Sequence, residues 1–271
     1  MRSKFLVVAL GLIFLAGAAL AITGGPADFE CPICKTKNTF WQWYSYGGYI
    51  YQWPSKFQMI FWPHTDTKFL FHCKKCHFTA YSSDFQKPPE DKLEATRQML
   101  AGVKLTYDTG DYDTIPMFER MEIAEKVYTV WGLSDDGWSH FYRVKGYHLQ
   151  REKQQAGADA ARQKALDLTI KLMGDPENEG RRKELLVIAA AMRHYLRDDA
   201  AALNDLRAAS SLKLNMPKLE KERNDNVDQY LSALIKEYIA AIENGTSTDE
   251  PEEETPPAKP EKAEKPPSRH Q

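Results

Sequence analysis

Two C-x-x-C pairs, Cys31-Pro32-Ile33-Cys34 and Cys73-Lys74-Lys75-Cys76, constrain this chain more than any other feature, and they hold all four of its cysteines. Four thiolates are the donor set of a tetrahedral structural zinc site. In that reading each pair sits on a tight turn, with both sulfurs and nearby backbone N–H groups facing one ion. Pro32 suits the first turn, and the 38 residues between Cys34 and Cys73 return as strands. Two other chemistries stay open. Cys73, Cys76 and His77 spell C-x-x-C-H, the attachment pattern of c-type haem. His77 would then be the axial ligand, with Met59 or His64 as a distal one, but Cys31 and Cys34 would have no task. Disulfides are the third option, structural or in a thiol–disulfide redox protein. A redox-active pair would be expected at a helix start within a βαβ unit, and neither pair reads that way.

The compartment bears on that choice. Arg2 and Lys4 precede a nearly unbroken apolar run from Phe5 to Ala18, and Ala19-Leu20-Ala21 has the form of a cleavage site. Residues 1–21 therefore read as an export signal. The alternative is an uncleaved anchor, since the apolar run approaches spanning length. Either way the chain is expected in the periplasm or outside the cell, where cysteines are commonly oxidised. The stretch 246–271 is Pro, Glu, Lys, Thr and Ser without an aromatic residue. It cannot bury enough apolar surface to offset chain entropy, so a disordered tail is expected.

Between signal and tail the composition changes once. Residues 26–87 are aromatic and extended, with Trp41, Trp43, Tyr44, Tyr46, Tyr49, Tyr51 and Trp53 in one stretch. Gly47-Gly48 marks a turn, and 68–72 reads as a strand entering the second cysteine pair. So short a segment needs a staple, which the cysteines supply. Residues 88–245 carry apolar residues at three- and four-residue spacing in about seven runs. The first is expected to run from Pro88 to about Leu105. The second follows Pro116 and is broken by Asp135-Asp136-Gly137. Later stripes are Ala161, Ala165, Leu168 and Leu172, then Leu185, Ile188, Ala189 and Met192, then Leu203, Leu206 and Ala209, then Leu231, Leu234 and Tyr238. Short connections between such helices predict stacked hairpins of the tetratricopeptide kind. The fold class expected is α+β, mostly α, with a small zinc-ribbon-like β domain (26–87) before a tetratricopeptide-like array (88–245).

Other polar residues carry weaker signals. His64, Asp66 and His72 lie near the second pair and have ligating side chains, yet each is more simply a hydrogen-bonding residue. The chain contains no G-x-S-x-G, no H-E-x-x-H and no phosphate loop. A net charge of −2 argues against a nucleic-acid partner. These features predict a non-catalytic protein that uses its helices to contact another protein. A membrane contact is expected only if residues 5–21 stay as an anchor.

The order Cys31-Pro-Ile-Cys34, a long insert, Asp66, Cys73-x-x-Cys76 and Asp84-Phe85 is similar to that of the DUF2225 family of bacterial proteins. Lys74 stands where that family has proline, His77 where it has glycine and Phe78 where it has tyrosine, and Ala80 lies one place later. Glu119-Arg120 and Ala124 resemble the opening of the family's helical half. The likeness spans about residues 28–215. It implies a metal-binding ribbon followed by a helical repeat.

Overall fold

Among the described residues the β-strands form two hairpins, and each hairpin ends in one of the cysteine pairs. The computed structural model describes residues 22–46, 54–106 and 112–245. The expected signal (1–21), the Gly47-Gly48 turn, the aromatics Tyr49, Tyr51 and Trp53, and the tail (246–271) lie outside the described residues. β1 (Ile22–Glu30) pairs antiparallel with β2 (Lys37–Tyr46). β3 (Leu70–His72) pairs antiparallel with β4 (Thr79–Tyr81). Near the first tip β2 alternates, with Asn38 and Phe40 buried and Thr39 exposed, so both inward residues share one face. Phe40 stacks on Phe71 of β3 with ring centroids 4.2 Å apart, which joins the two hairpins. The strand expected at 68–72 is shorter than its pattern, because residues 67–69 form a 3₁₀ turn capped by Asp66.

Nine α-helices are seen among the described residues. Two are short: α1 (Ser55–Gln58) and α2 (Ser82–Gln86). The other seven are α3 (Leu93–Leu100), α4 (Met117–Trp131), α5 (Asp135–Arg151), α6 (Gln155–Met173), α7 (Arg182–Tyr195), α8 (Asp199–Ser210) and α9 (Lys221–Glu243). The first run stops at Leu100 rather than Leu105. Gly102 follows, and Val103 and Leu105 fold back onto the core outside any helix. Asp135-Asp136-Gly137 does not break the chain. It is the first turn of α5, where its carboxylates suit the positive helix end and Ser134 Oγ accepts from the Gly137 N–H at 3.2 Å. The break falls at Gly132, which leaves α4 at φ 77°, a conformation that glycine adopts without steric cost.

From α5 onward each helix packs on the next, and α9 returns to touch α7 as well as α8. α7 is buried from Leu185 to Met192 without interruption, as a central helix must be. Two cores result. The first joins Cys31, Phe40, Phe71, Cys73 and Phe78 to α4 and α5 through Met121, Val127 and Phe141. The second lies among α6 to α9 and takes in Phe57 and Met59 from the aromatic stretch. Packing is therefore continuous across residue 87. No helix among the described residues is long and apolar enough to cross a membrane.

Candidate metal centre

The two cysteine pairs form two copies of one backbone loop. In the first, the Cys31 N–H donates to the Thr36 carbonyl (2.9 Å) and the Lys35 N–H donates back to the Cys31 carbonyl (2.9 Å). In the second, the Cys73 N–H donates to the Phe78 carbonyl (2.8 Å) and the His77 N–H to the Cys73 carbonyl (2.9 Å). The residue after each second cysteine is left-handed, Lys35 at φ 61° and His77 at φ 62°. That turn reverses the chain after the second cysteine, so that the next residue but one can accept from the N–H of the first. His77 thus fills the position where glycine is most comfortable, at a steric cost of about 1 kcal/mol.

The loops face one another. The four sulfur atoms all lie within 4.8 Å of one another, with Cys31 Sγ 3.6 Å from Cys76 Sγ and Cys34 Sγ 3.6 Å from Cys73 Sγ. Four thiolates bonded tetrahedrally at about 2.3 Å would stand about 3.8 Å apart. The donor set therefore fits a thiophilic metal ion, and all four cysteines are free thiols. Cys31 and Cys73 are buried in the first core, whereas Cys34 and Cys76 are half-buried at the rim of a cleft of about 410 Å³. Ile33, His77, Arg97 and Leu100 complete that cleft.

Crowding sets the protonation of these sulfurs. Hydrogen bonds from Cys31 and Cys76 hold the Cys73 thiol far below its usual range. The hydrogen bond with Cys73 and burial push Cys31 up to about 12, although its contact with Cys76 acts the other way. Contacts with Cys31 and Cys73 push Cys76 far above the ordinary thiol value. Neighbouring thiolates repel one another, and a bound cation removes that repulsion and lets the thiols ionise.

The supports of the site come from distant parts of the chain. Asn38 reaches both loops from β2: its Nδ2 donates to the Thr36 carbonyl (2.9 Å) and to Cys73 Sγ (3.6 Å), and its Oδ1 accepts from the Lys74 N–H (3.0 Å). Arg120 of α4 is buried beneath the second hairpin. It donates from Nη1 to the Thr67 (2.7 Å) and Leu70 (3.1 Å) carbonyls and from Nε to that of Ile115 (3.0 Å). Burial lowers its pKa to about 10, so it stays charged at neutral pH. The Tyr128 hydroxyl accepts from the Tyr81 N–H (3.0 Å) and donates to Asp84 Oδ2 (2.7 Å).

The weaker candidates lie elsewhere. Asp66 Oδ1 accepts from the Lys68 N–H at 2.7 Å, a helix-cap role. His72 Nδ1 is 2.7 Å from Thr79 Oγ1, and that hydroxyl donates to the His77 carbonyl at 2.8 Å. The His72 nitrogen must therefore be the donor, which leaves Nε2 as an acceptor 3.4 Å from His77 Nδ1. His64 packs against Tyr81 and His140. Met59 belongs to the second core, and its carbonyl accepts from Arg143 Nη1 at 3.0 Å. None of these side chains joins the four-sulfur cluster. Asn38 and Lys35 support the two loops, yet sequence reasoning does not single them out, and it names Arg120 only within the family resemblance, with no role beneath the second hairpin. The one available signal was the shared position of Lys35 and His77 after a C-x-x-C.

Comparisons with family models, with curated proteins and with solved structures return no match for this chain.

Proposed function

We propose that this is a non-catalytic metal-binding protein in which Cys31, Cys34, Cys73 and Cys76 hold one Zn²⁺ as a structural clamp. The observation that carries this reading is the duplicated loop, which brings four sulfurs within 4.8 Å of one another. Two hairpins tipped by such loops are zinc-ribbon-like, in keeping with the resemblance to the DUF2225 family. When bound, zinc would neutralise the thiolates and tie the two tips together. Burial of Cys31 and Cys73 in the first core extends that clamp to α4 and α5. A haem held by Cys73 and Cys76 with His77 as ligand fits less well. Cys73 has no exposed surface and faces the other three sulfurs.

The helices of residues 88–245, α3 to α9, are read as a tetratricopeptide-like array that presents a surface to another protein. The support is architectural, since consecutive helices pack in order. The apolar run of residues 5–18 supports an exported protein.

Elemental analysis with a visible spectrum of protein purified from its native compartment tests the metal reading. One zinc per chain is expected, with chelation lowering the melting temperature. A Soret band that survives acid–acetone extraction, or four blocked thiols without metal, would overturn it. Crosslinking in the same compartment tests the partner, and recovery of the uncrosslinked chain alone would count against one.

A further inference from the structure

We propose that Asn38 is a positioning residue of this centre, one that sets the relation of the two loops and tunes the Cys73 sulfur. The inference rests on the zinc reading and goes one layer beyond its ligands. Asn38 is the second residue of β2, pairs with Phe29 across the hairpin and is 3% exposed. A buried amide must find partners for two N–H groups and one carbonyl oxygen. Here one donor closes the first loop at Thr36, the other points at Cys73 Sγ, and the oxygen takes the Lys74 N–H of the second loop. One side chain thus reads both loops at once.

No other residue type of this size performs all three tasks. An aspartate keeps the bond from Lys74 but has no N–H to give the sulfur, and it adds negative charge beside four thiolates. An alanine loses every contact. Placement depends on register: Asn38 and Phe40 share the inward face of β2, and a slip of one residue would turn both to solvent. An N–H group directed at a thiolate draws electron density from sulfur. The Cys73–metal bond is then less easily attacked by electrophiles, and the metal is held in one geometry.

Cobalt substitution reads these effects directly. Wild-type full-length chain is reconstituted with Co²⁺ and compared with Asn38→Asp, Asn38→Ala and the control Thr39→Ala, whose side chain lies on the exposed face of β2. Loss of the N–H donor is expected to move the sulfur-to-cobalt charge-transfer band to lower energy and to weaken cobalt binding by about 10- to 100-fold, while the control changes neither. If the Asn38 variants melt earlier but keep the wild-type band and affinity, Asn38 only packs and the inference fails. Should the wild type take up no cobalt, the zinc reading falls and takes this inference with it. A second measurement needs no variant: in ¹¹³Cd-substituted wild type, a scalar coupling between the Asn38 side-chain N–H and cadmium is expected. Its absence would overturn the proposal even if the variants fail to fold.

Discussion

At the scale of single residues, the centre depends on backbone conformations that its side chains do not favour. Lys35 and His77 both sit in the left-handed region, each directly after the second cysteine of its pair. Non-glycine residues resist that region because Cβ crowds the following carbonyl. Glycine at position 77 is therefore expected to stabilise the fold by up to about 1 kcal/mol and, on the proposed zinc reading, to leave metal binding intact. The gain is offset by whatever the contact of His77 with His72 contributes. Thermal melting and metal content of His77→Gly check this. Loss of a haem Soret band in the variant would instead favour His77 as an axial ligand. The sequence reading gave His77 as a haem ligand in one alternative and as the residue standing where the similar family has glycine in the other, and its left-handed backbone fits the position of a glycine. That reading did not find Asn38 and gave Arg120 no role at the second hairpin, since a buried amide and a buried guanidinium look the same in sequence as exposed ones.

At the scale of elements, the segment 54–60 shows how a local reading misleads. Its aromatic composition groups it with the strands, but it docks among helices more than a hundred residues later. The Pro54 carbonyl accepts from Tyr195 Oη (3.1 Å), the Lys56 carbonyl from Tyr238 Oη, and Lys56 Nζ pairs with Glu237 Oε1 at 2.7 Å. Phe57 is fully buried, stacked 4.1 Å from Tyr238 and edge-on to Tyr195. Phe57→Ala should cost about 3–5 kcal/mol, measured by denaturant unfolding, because it leaves a cavity in the second core. A change under 1 kcal/mol would mean that this segment is not needed by the helices. Helix α6 shows a related shift. Of the stripe expected along Ala161, Ala165, Leu168 and Leu172, both alanines are buried but both leucines are only half-buried, and Arg162, Leu166 and Thr169 share the core face. Thr169 Oγ1 bonds the Ala165 carbonyl (2.7 Å) and lies 3.0 Å from Ser139 Oγ, and Arg162 lies 4.0 Å from the Tyr195 ring centroid. Partners supplied by other helices made those polar residues suitable for a core.

At the scale of the whole molecule, the interior holds several imidazoles in neutral form. Burial pushes both His64 and His148 down to about 4, and His148 Nε2 donates to the His64 carbonyl at 2.9 Å. In the unfolded chain these histidines take up a proton near pH 6.5, whereas in the fold they resist it until about pH 4. The unfolded state therefore binds more protons in that window, and stability falls as pH is lowered from about 6.5 to about 4. Each histidine contributes a slope of up to about 1.4 kcal/mol per pH unit. Urea titrations at fixed pH check this, and a double variant, His64→Gln with His148→Gln, should reduce the dependence without abolishing it, because burial lowers His72 and His140 as well. A wild-type curve flat between pH 6.5 and 4.5 would show that these rings are not held neutral.

Much of this architecture is written locally. Seven amphipathic helices follow from apolar spacing, although the aspartates that read as stops, Asp135 and Asp198, instead open or cap the next helix. Two C-x-x-C pairs announce a shared site because the spacing itself places two sulfurs on one turn. What the sequence determined alone is thus the seven longer helices and the grouping of the four cysteines into two C-x-x-C turns, both of which depend on neighbours a few residues apart. Only the tertiary structure decided which hairpin faces which, that the cysteine loops and α4–α5 share one core, and that Asn38, Arg120 and Phe57 lie at their joints. Those outcomes depend on pairs of groups 35 to 182 residues apart in the chain. Such pairs leave no periodicity to read, and desolvation rewards them only once both partners have been brought together.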